Sequence, residues 1–181
     1  MKLGKKAQIA IYSMVAIIAC LLIVPVATSA ARRSELRANI PLDRQILHEI
    51  NLIRHAHNLQ PLTSSPLLVQ AASDHSQSMA TKGFFAHTTP NSYVFWVRVE
   101  RYFPSANYKY WETGENLVWA SPKLTARRAV ALWMKSPLHR ANLLNPRYRQ
   151  IGLAAVHSDG APGVYGGQQA TIITADFGVR Y

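Results

Sequence analysis

The stretch WMKSPLHRANLL, residues 133–144, places a histidine just after a predicted break between two helices. Apolar and small residues recur at helical spacing from 124 to 136, which predicts a helix there. Pro137 interrupts this helix, because proline lacks the backbone N–H that a helix interior needs, and a turn or short helix follows. His139 therefore lies at the end of an element, where side chains commonly line clefts.

Two segments upstream also place an ionisable side chain on a loop or at the end of a predicted element. FFAHT, residues 84–88, puts His87 on a loop that leaves a predicted helix, and GENL, residues 114–117, puts Glu115 directly after a glycine. Two imidazoles and a carboxylate are good ligands for zinc, and three protein ligands with one open position are common in zinc sites. The same groups also suit a hydrogen-bonded network in which the carboxylate orients the imidazoles, so both interpretations stay open.

From residue 42 onward the sequence predicts helices first and strands last. The helices follow from apolar residues at three- and four-residue steps, with Ser65 and Pro66 at one start and Gly83 at one end. The strands follow from alternation, and a segment rich in Gly and Pro joins the last two. The predicted helices span 42–58, 66–82, 93–103 and 124–136, and the predicted strands span 115–119, 151–157 and 169–179. This order predicts an α+β fold.

The first 31 residues have the pattern of an export segment. Lysines precede an apolar run from residue 9 to residue 24, and small residues follow it. Three outcomes are open: a cleaved signal peptide (1–31), an uncleaved membrane anchor formed by residues 9–31, or a lipoprotein attached through Cys20. Each outcome places the rest of the chain outside the cytoplasm. We therefore predict a linker at 32–41 and one secreted or membrane-anchored domain at 42–181.

Cysteine and charge content narrow the class of protein. Cys20 is the sole cysteine, so the exported domain has no disulfide, which favours a bacterial product over a cysteine-rich eukaryotic one. The formal net charge is +11, and about +8 remains once the N-terminal lysines are set aside. This charge serves solubility or attracts anionic lipid or cell-envelope polymer. Nucleic acid is not expected, because the basic residues are dispersed and no nucleic-acid-binding motif accompanies them.

Nucleophilic catalysis has little support in the sequence. No Gly-x-Ser-x-Gly motif is present, and Cys20 lies within the export segment. Ser136 stands close to His139 in the sequence, but proximity of this kind does not define a catalytic triad. The sequence therefore favours binding over turnover.

Seven segments, taken in order, resemble the CAP superfamily, which comprises cysteine-rich secretory proteins, antigen 5 and plant pathogenesis-related proteins. The likeness is to the bacterial branch, often called SCP-like extracellular proteins, and it covers about residues 43 to 178. Each segment alone is weak, and their order carries the resemblance. The segments are NLIR at 51–54 with LQPL at 59–62, the positions Leu68, Ala72, His75, Ser76 and Met79, FAHT at 85–88, GENL at 114–117, WMKSPLHRANLL at 133–144, IGL at 151–153 and ADFG at 175–178.

The resemblance implies an α-β-α sandwich in which helices flank a small antiparallel sheet. It also implies a central cleft lined by His87, Glu115 and His139, which in some family members binds zinc or another divalent cation. The family's second acid is missing, because residues 134–136 read Met-Lys-Ser where eukaryotic members carry that acid. A mechanism that needs paired carboxylates is therefore not expected.

The resemblance implies no single chemistry, since one fold can carry many functions. We expect a lipid, a sterol-like molecule or another hydrophobic ligand bound at the cell envelope, given the exported context, the basic charge and the aromatic residues between 93 and 119. One alternative is a metal-assisted, protease-like hydrolase that uses His87, Glu115 and His139. The other is an envelope adhesion or protein-interaction module. Membrane contact through the N-terminal segment is expected if that segment is retained.

Overall fold

The computed structural model describes residues 41–91 and 94–181. The predicted export segment, nearly all of the linker, and Tyr93, where the third helix was expected to begin, lie outside these residues. Across the described ranges, no helix combines the length and the hydrophobicity that crossing a lipid bilayer requires.

The predicted helices and strands are present with shifted boundaries, and a two-residue strand, Thr63–Ser64, was not predicted. The third helix spans eight residues, and the segment after Pro137 is helical. The second strand has ten residues instead of the predicted five, because it pairs with the last strand along its whole length. The elements are α1 Leu42–Ala56, β1 Thr63–Ser64, α2 Pro66–Lys82, α3 Phe95–Tyr102, β2 Trp111–Ala120, α4 Ala126–Lys135, α5 Pro137–Leu143, β3 Gln150–Ala161, a 3-10 turn Gly163–Tyr165 and β4 Gln168–Arg180.

The four strands form one sheet in the order β1-β3-β4-β2. The three long strands β3, β4 and β2 pair with one another in antiparallel orientation, as the sequence predicted. The two-residue β1 differs, because it pairs with β3 in parallel through Thr63 and Ser64. The sheet is therefore mixed, and its parallel part is confined to one short edge.

Helices cover both faces of β4, which is why this strand is buried over most of its length. Ile173 and Phe177 pack on one face in a cluster that includes Ile46 of α1 and Trp133 of α4. On the opposite face, the Ser76 hydroxyl of α2 donates to Thr174 Oγ1 at 2.8 Å. The alternation of the two faces along 170–177 is thereby confirmed, and the layers form the expected α-β-α sandwich.

Close contact of α2 with β3 depends on a glycine in the IGL segment. A Cβ at Gly152 would lie 2.0 Å from the carbonyl carbon of Leu68, which is backbone and cannot turn aside. Only glycine therefore permits this approach of helix and strand. The contact fixes α2, and with it His75, against the middle of the sheet.

A buried arginine ties the ends of α1 and α5 together. The Arg54 side chain is fully buried, and its Nη1 donates to the carbonyl oxygens of Leu143 at 2.8 Å and Asn145 at 3.0 Å. Its Nε donates to the Gln60 carbonyl at 2.8 Å. Carbonyls at the end of α5 have no partner within the helix, so Arg54 satisfies them and anchors the helix that carries His139.

Candidate functional site

The three side chains singled out from the sequence converge on one cleft. His87, Glu115 and His139 line an open cavity of about 530 Å³, together with Phe95 and Leu138. The His87 Nδ1 lies 2.7 Å from Glu115 Oε1, and the ring centroids of His87 and His139 are 6.3 Å apart. Folding thus gathers residues from the α2–α3 loop, from β2 and from α5.

Two asparagines hold α5 against β2. The Asn116 Nδ2 donates to the His139 carbonyl oxygen at 3.0 Å. The Asn142 Nδ2 donates to Asn116 Oδ1 at 2.9 Å and to the Glu115 carbonyl oxygen at 3.1 Å. These amide bonds give a physical reason for the asparagines in the GENL and WMKSPLHRANLL segments. They fix the position of His139 relative to Glu115.

The glycine before Glu115 leaves room for the same contact. A Cβ at Gly114 would lie 2.5 Å from the Tyr148 hydroxyl and 2.7 Å from Asn142 Oδ1. Real Cβ atoms do not approach other heavy atoms so closely, so a larger residue would push α5 away from the strand. Gly114 therefore acts on the cleft through packing rather than through chemistry.

A second carboxylate and an arginine complete the site, and the sequence interpretation missed both. Asp176 lies opposite Glu115 in the register of β2 and β4. The Arg98 Nη2 on α3 donates to Glu115 Oε2 and to Asp176 Oδ1, the latter at 3.2 Å. Residues 134–136 supply no acid, but Asp176 of β4 places a second carboxyl group beside Glu115 of β2. The sequence feature that could have indicated the second carboxylate is a charged residue within a strand that is otherwise buried on both faces.

The two carboxyl groups have opposite protonation preferences. Burial raises the pKa of Glu115, but the hydrogen bond from His87 and the charge of Arg98 outweigh it, so the pKa lies below its ordinary value. Burial and the neighbouring Glu115 charge raise the pKa of Asp176 well above its ordinary value. The Arg98 guanidinium and the His87 hydrogen bond thus favour the ionised form of Glu115, whereas burial beside that carboxylate favours the protonated form of Asp176.

The nearby imidazoles differ in exposure and in role. His75 is buried, its Nε2 lies 3.0 Å from the Ala86 carbonyl oxygen, and burial lowers its pKa to about 4. His75 is therefore a hydrogen-bonded residue of the core. Burial, followed by the charge of His87, also lowers the pKa of His139. The His87 side chain is 49% exposed, so it is the imidazole most accessible to a ligand.

Unpaired polar atoms concentrate at this site. Among the residues that the structure describes, the buried side-chain N and O atoms without a hydrogen-bond partner are His75 Nδ1, Arg98 Nε, Arg98 Nη1 and Asp176 Oδ2. All of them belong to side chains around Glu115. Buried polar groups normally find partners, and departures from that rule cluster where function requires them.

The donor set fits a divalent metal poorly in this arrangement. Both oxygens of Glu115 are engaged by protein donors, and the Arg98 guanidinium brings positive charge beside them. Across residues 41–91 and 94–181, no group of three or more His, Cys, Asp or Glu side chains is arranged to hold a metal ion. Zinc binding by His87, Glu115 and His139 therefore stays a prediction.

Comparison with known proteins identifies the family. The model of the cysteine-rich secretory protein family, CAP, matches residues 47–174. This protein belongs to that family, as the order of its sequence segments indicated.

The chain is also similar to individual bacterial proteins. The chain is 30% identical to the Bacillus subtilis protein YkwD over 116 residues, which are 64% of this chain and 43% of YkwD. An outer surface protein from Borrelia burgdorferi has a similar structure, with a TM-score of 0.64 at 22% identity over 78% of this chain and 97% of that one. An extracellular SCP-domain protein from Bacillus anthracis gives a TM-score of 0.56 at 27% identity over 74% and 39%. The chain spans less than half of YkwD and of the Bacillus anthracis protein.

Proposed function

We propose that this protein binds a lipid or another hydrophobic ligand in the His87 cleft, outside the cytoplasm at the cell envelope. The observation that carries the proposal is the exposed apolar rim of a cleft with a polar floor. Leu138, which lines the cleft, is 81% exposed, and Trp96, which packs against the lining residue Phe95, is 48% exposed. Large apolar side chains exposed at a cavity mouth are a common feature of ligand sites.

The rim continues into the cleft through ring contacts. Trp96 lies against Phe95 at a centroid distance of 5.5 Å, and Phe95 lies 6.3 Å from the His87 ring. An aliphatic chain would lie along these rings and Leu138, while a polar head would meet the His87 imidazole. This division suits an amphiphile, because each part of the ligand finds matching surface.

A second hollow supports a ligand longer than the cleft itself. His139 also lines a neighbouring cavity of about 280 Å³, whose walls include Phe85, Trp119 and Leu132. The two cavities share His139 as a wall, and we propose that a longer apolar chain passes this imidazole from one cavity into the other. The proposed location rests on the export pattern of the N-terminus and on the related proteins described as outer surface or extracellular.

Fluorescence titration with cis-parinaric acid tests this proposal. We expect saturable binding by the wild type and a loss of about tenfold in affinity for Leu138→Asp, because burying a leucine side chain contributes about 1.5–3 kcal/mol. The matched control is Leu52→Asp, since Leu52 is exposed on α1 and does not line the cleft. A parallel titration with dehydroergosterol separates fatty acids from sterols. Absence of saturable binding to both probes would remove the proposal.

A hydrolase is the second candidate, and the His87–Glu115 pair favours it. The Nδ1 of His87 is held by an ionised, buried carboxylate, which leaves Nε2 available as a base toward the cleft. Release of fluorescent peptides from labelled casein, with and without zinc, is the measurement. Hydrolysis by the wild type that His87→Ala abolishes would replace the binding proposal with an enzymatic one.

An adhesion or protein-interaction role would not require the polar groups at the base of the cleft. Such a role would be indicated if a folded His139→Ala variant still attached to envelope preparations but no longer bound cis-parinaric acid. Loss of both properties together would instead connect attachment to the ligand.

A further inference from the structure

A basic hollow lies apart from the cleft, where β3 begins and β4 ends. Its volume is about 320 Å³, and it is lined by Arg147, Arg149, Gln150, Val179, Arg180 and Tyr181. None of these residues lines the His87 cleft. Three of the six are arginines, and we call this cavity the arginine hollow.

Two of the arginines are fixed by uncharged partners. The Arg149 Nη1 donates to the carbonyl oxygens of Pro146, Arg147 and Tyr148 at 2.6–3.1 Å. The Arg180 Nη1 donates to the Pro104 carbonyl oxygen at 2.9 Å. Carbonyl dipoles orient a guanidinium without cancelling its charge, so both groups remain cationic and already ordered.

Aromatic rings hold Arg180 further in place. Its guanidinium lies 4.0 Å from the Phe103 ring centroid and 4.5 Å from that of Tyr108. Tyr108 and Tyr181 are themselves exposed at 42% and 71%. Arginine beside exposed tyrosine is typical of surfaces that meet the polar region of a membrane, where the ring is half immersed and the cation faces phosphates.

The acidic groups of this region compensate only part of the charge. Glu112 accepts from Arg147 Nε at 2.6 Å and from Arg147 Nη2 at 2.9 Å, and hydrogen bonding from Arg147 lowers its pKa to about 2. The backbone oxygen of Tyr181 accepts from the Tyr110 N–H at 3.0 Å. Three guanidiniums line the hollow and the Glu112 carboxylate pairs with one of them, Arg147, so the side chains of the described residues leave an excess of positive charge.

We propose that the arginine hollow binds the phosphate of an anionic phospholipid headgroup. Planar guanidinium groups match phosphate oxygens in geometry as well as in charge. The hollow is large enough for a phosphate with the glycerol attached to it. This site is independent of the ligand in the His87 cleft, and it would hold the domain against a membrane surface.

Sedimentation with lipid vesicles tests the proposal, using phosphatidylcholine alone and phosphatidylcholine mixed with phosphatidylglycerol. We expect the wild-type protein to bind the mixed vesicles and Arg147→Gln/Arg149→Gln to bind them about thirtyfold more weakly, which corresponds to roughly 1 kcal/mol for each of the two arginines. The matched control is Arg127→Gln/Arg128→Gln, which removes the same charge from exposed positions on α4 outside the hollow. Equal weakening by both double variants would mean that only the general surface charge matters, and the proposal would be wrong.

A second variant is expected to bind the mixed vesicles more tightly, and misfolding of the arginine double variant could not explain that result. Glu112→Gln releases Arg147 from its ion pair, so binding to the mixed vesicles should become tighter. Unchanged or weaker binding by a folded Glu112→Gln protein contradicts the proposal.

Inorganic phosphate, titrated by NMR of the arginine side chains, separates the two sources of phosphate. If phosphate binds and vesicles do not, the lipid assignment falls. The cis-parinaric acid titration should be unaffected by these variants, which keeps this test separate from that of the cleft.

Discussion

Asp176 on β4 lies directly opposite Glu115 on β2, and both carboxyl groups are buried. A single guanidinium, that of Arg98, contacts both. Because one positive charge cannot balance two ionised carboxylates in a buried site, one of them keeps its proton. The pair thereby gives His87 an ionised partner while the protein buries little net charge.

Asp176→Asn should alter stability little, whereas Glu115→Gln should lower it clearly. Asparagine resembles the protonated form that Asp176 adopts, so we expect a change within about 1 kcal/mol at pH 7. Glutamine cannot replace the ionised partner of both His87 and Arg98, so we expect a loss of about 3–5 kcal/mol. Urea unfolding at pH 7 measures both. A larger loss for Asp176→Asn than for Glu115→Gln would reverse the assignment of the proton.

Arg98→Met should also destabilise the fold, by about 3–5 kcal/mol at pH 7, because it leaves a buried ionised carboxylate without its cation. The matched control is Arg127→Met on α4, an exposed position whose substitution should cost less than about 0.5 kcal/mol. Chemical denaturation compares the two. A loss below about 1 kcal/mol for Arg98→Met would mean that the guanidinium is not the counter-ion of Glu115.

Stability should fall on acidification because of His75. Its pKa is about 4 in the folded protein and about 6.5 in the unfolded chain. Between these values the unfolded chain binds the proton more readily, so stability is lost as pH falls from about 6.5 toward about 4, by up to about 3 kcal/mol.

Comparison of the wild type with His75→Gln isolates this effect from Asp176, whose raised pKa acts in the opposite direction. The pH dependence of urea unfolding should be flatter in His75→Gln. It should be unchanged in His55→Gln, which alters an exposed histidine on α1. If the stability of the wild type and of His75→Gln depended equally on pH, the assignment of this effect to His75 would be wrong.

Trp133→Ala and Phe177→Ala should each cost about 3–5 kcal/mol, because both side chains are almost fully buried in the same cluster. Trp96→Ala is the control, since this tryptophan is half exposed and should cost much less. Thermal and urea unfolding measure the differences. A cost under about 1 kcal/mol at Trp133 would place that ring outside the core.

Zinc calorimetry on the wild type and His87→Ala tests the metal prediction. Because the Glu115 oxygens are engaged by His87 and Arg98, we expect weak binding by the wild type and loss of that binding in His87→Ala. Identical titrations would show that any zinc taken up lies elsewhere. Tight binding by the wild type would show that Arg98 gives way to the metal.

The family, the helix boundaries set by Pro66, Gly83 and Pro137, and the three residues of the cleft were accessible from the sequence. The helix boundaries depend on local chemistry, because proline suits the first turn of a helix but interrupts its interior, glycine permits a left-handed turn, and apolar residues repeat with the helical period. The family, and the cleft formed by the three residues, were indicated instead by the order of segments that resemble the CAP superfamily. The alternation along β4 likewise indicated correctly which residues share a face.

Arg98 and Asp176 became functional candidates only through the tertiary structure. They are 78 residues apart in the chain. Their contact depends on the register of β4 beside β2 and on the packing of α3 against the sheet. The same holds for the arginine hollow, which the loop before β3 and the end of β4 form together. Periodic patterns report which side chains are buried, but the partner of a buried charge depends on strand register and helix packing, which local sequence does not encode.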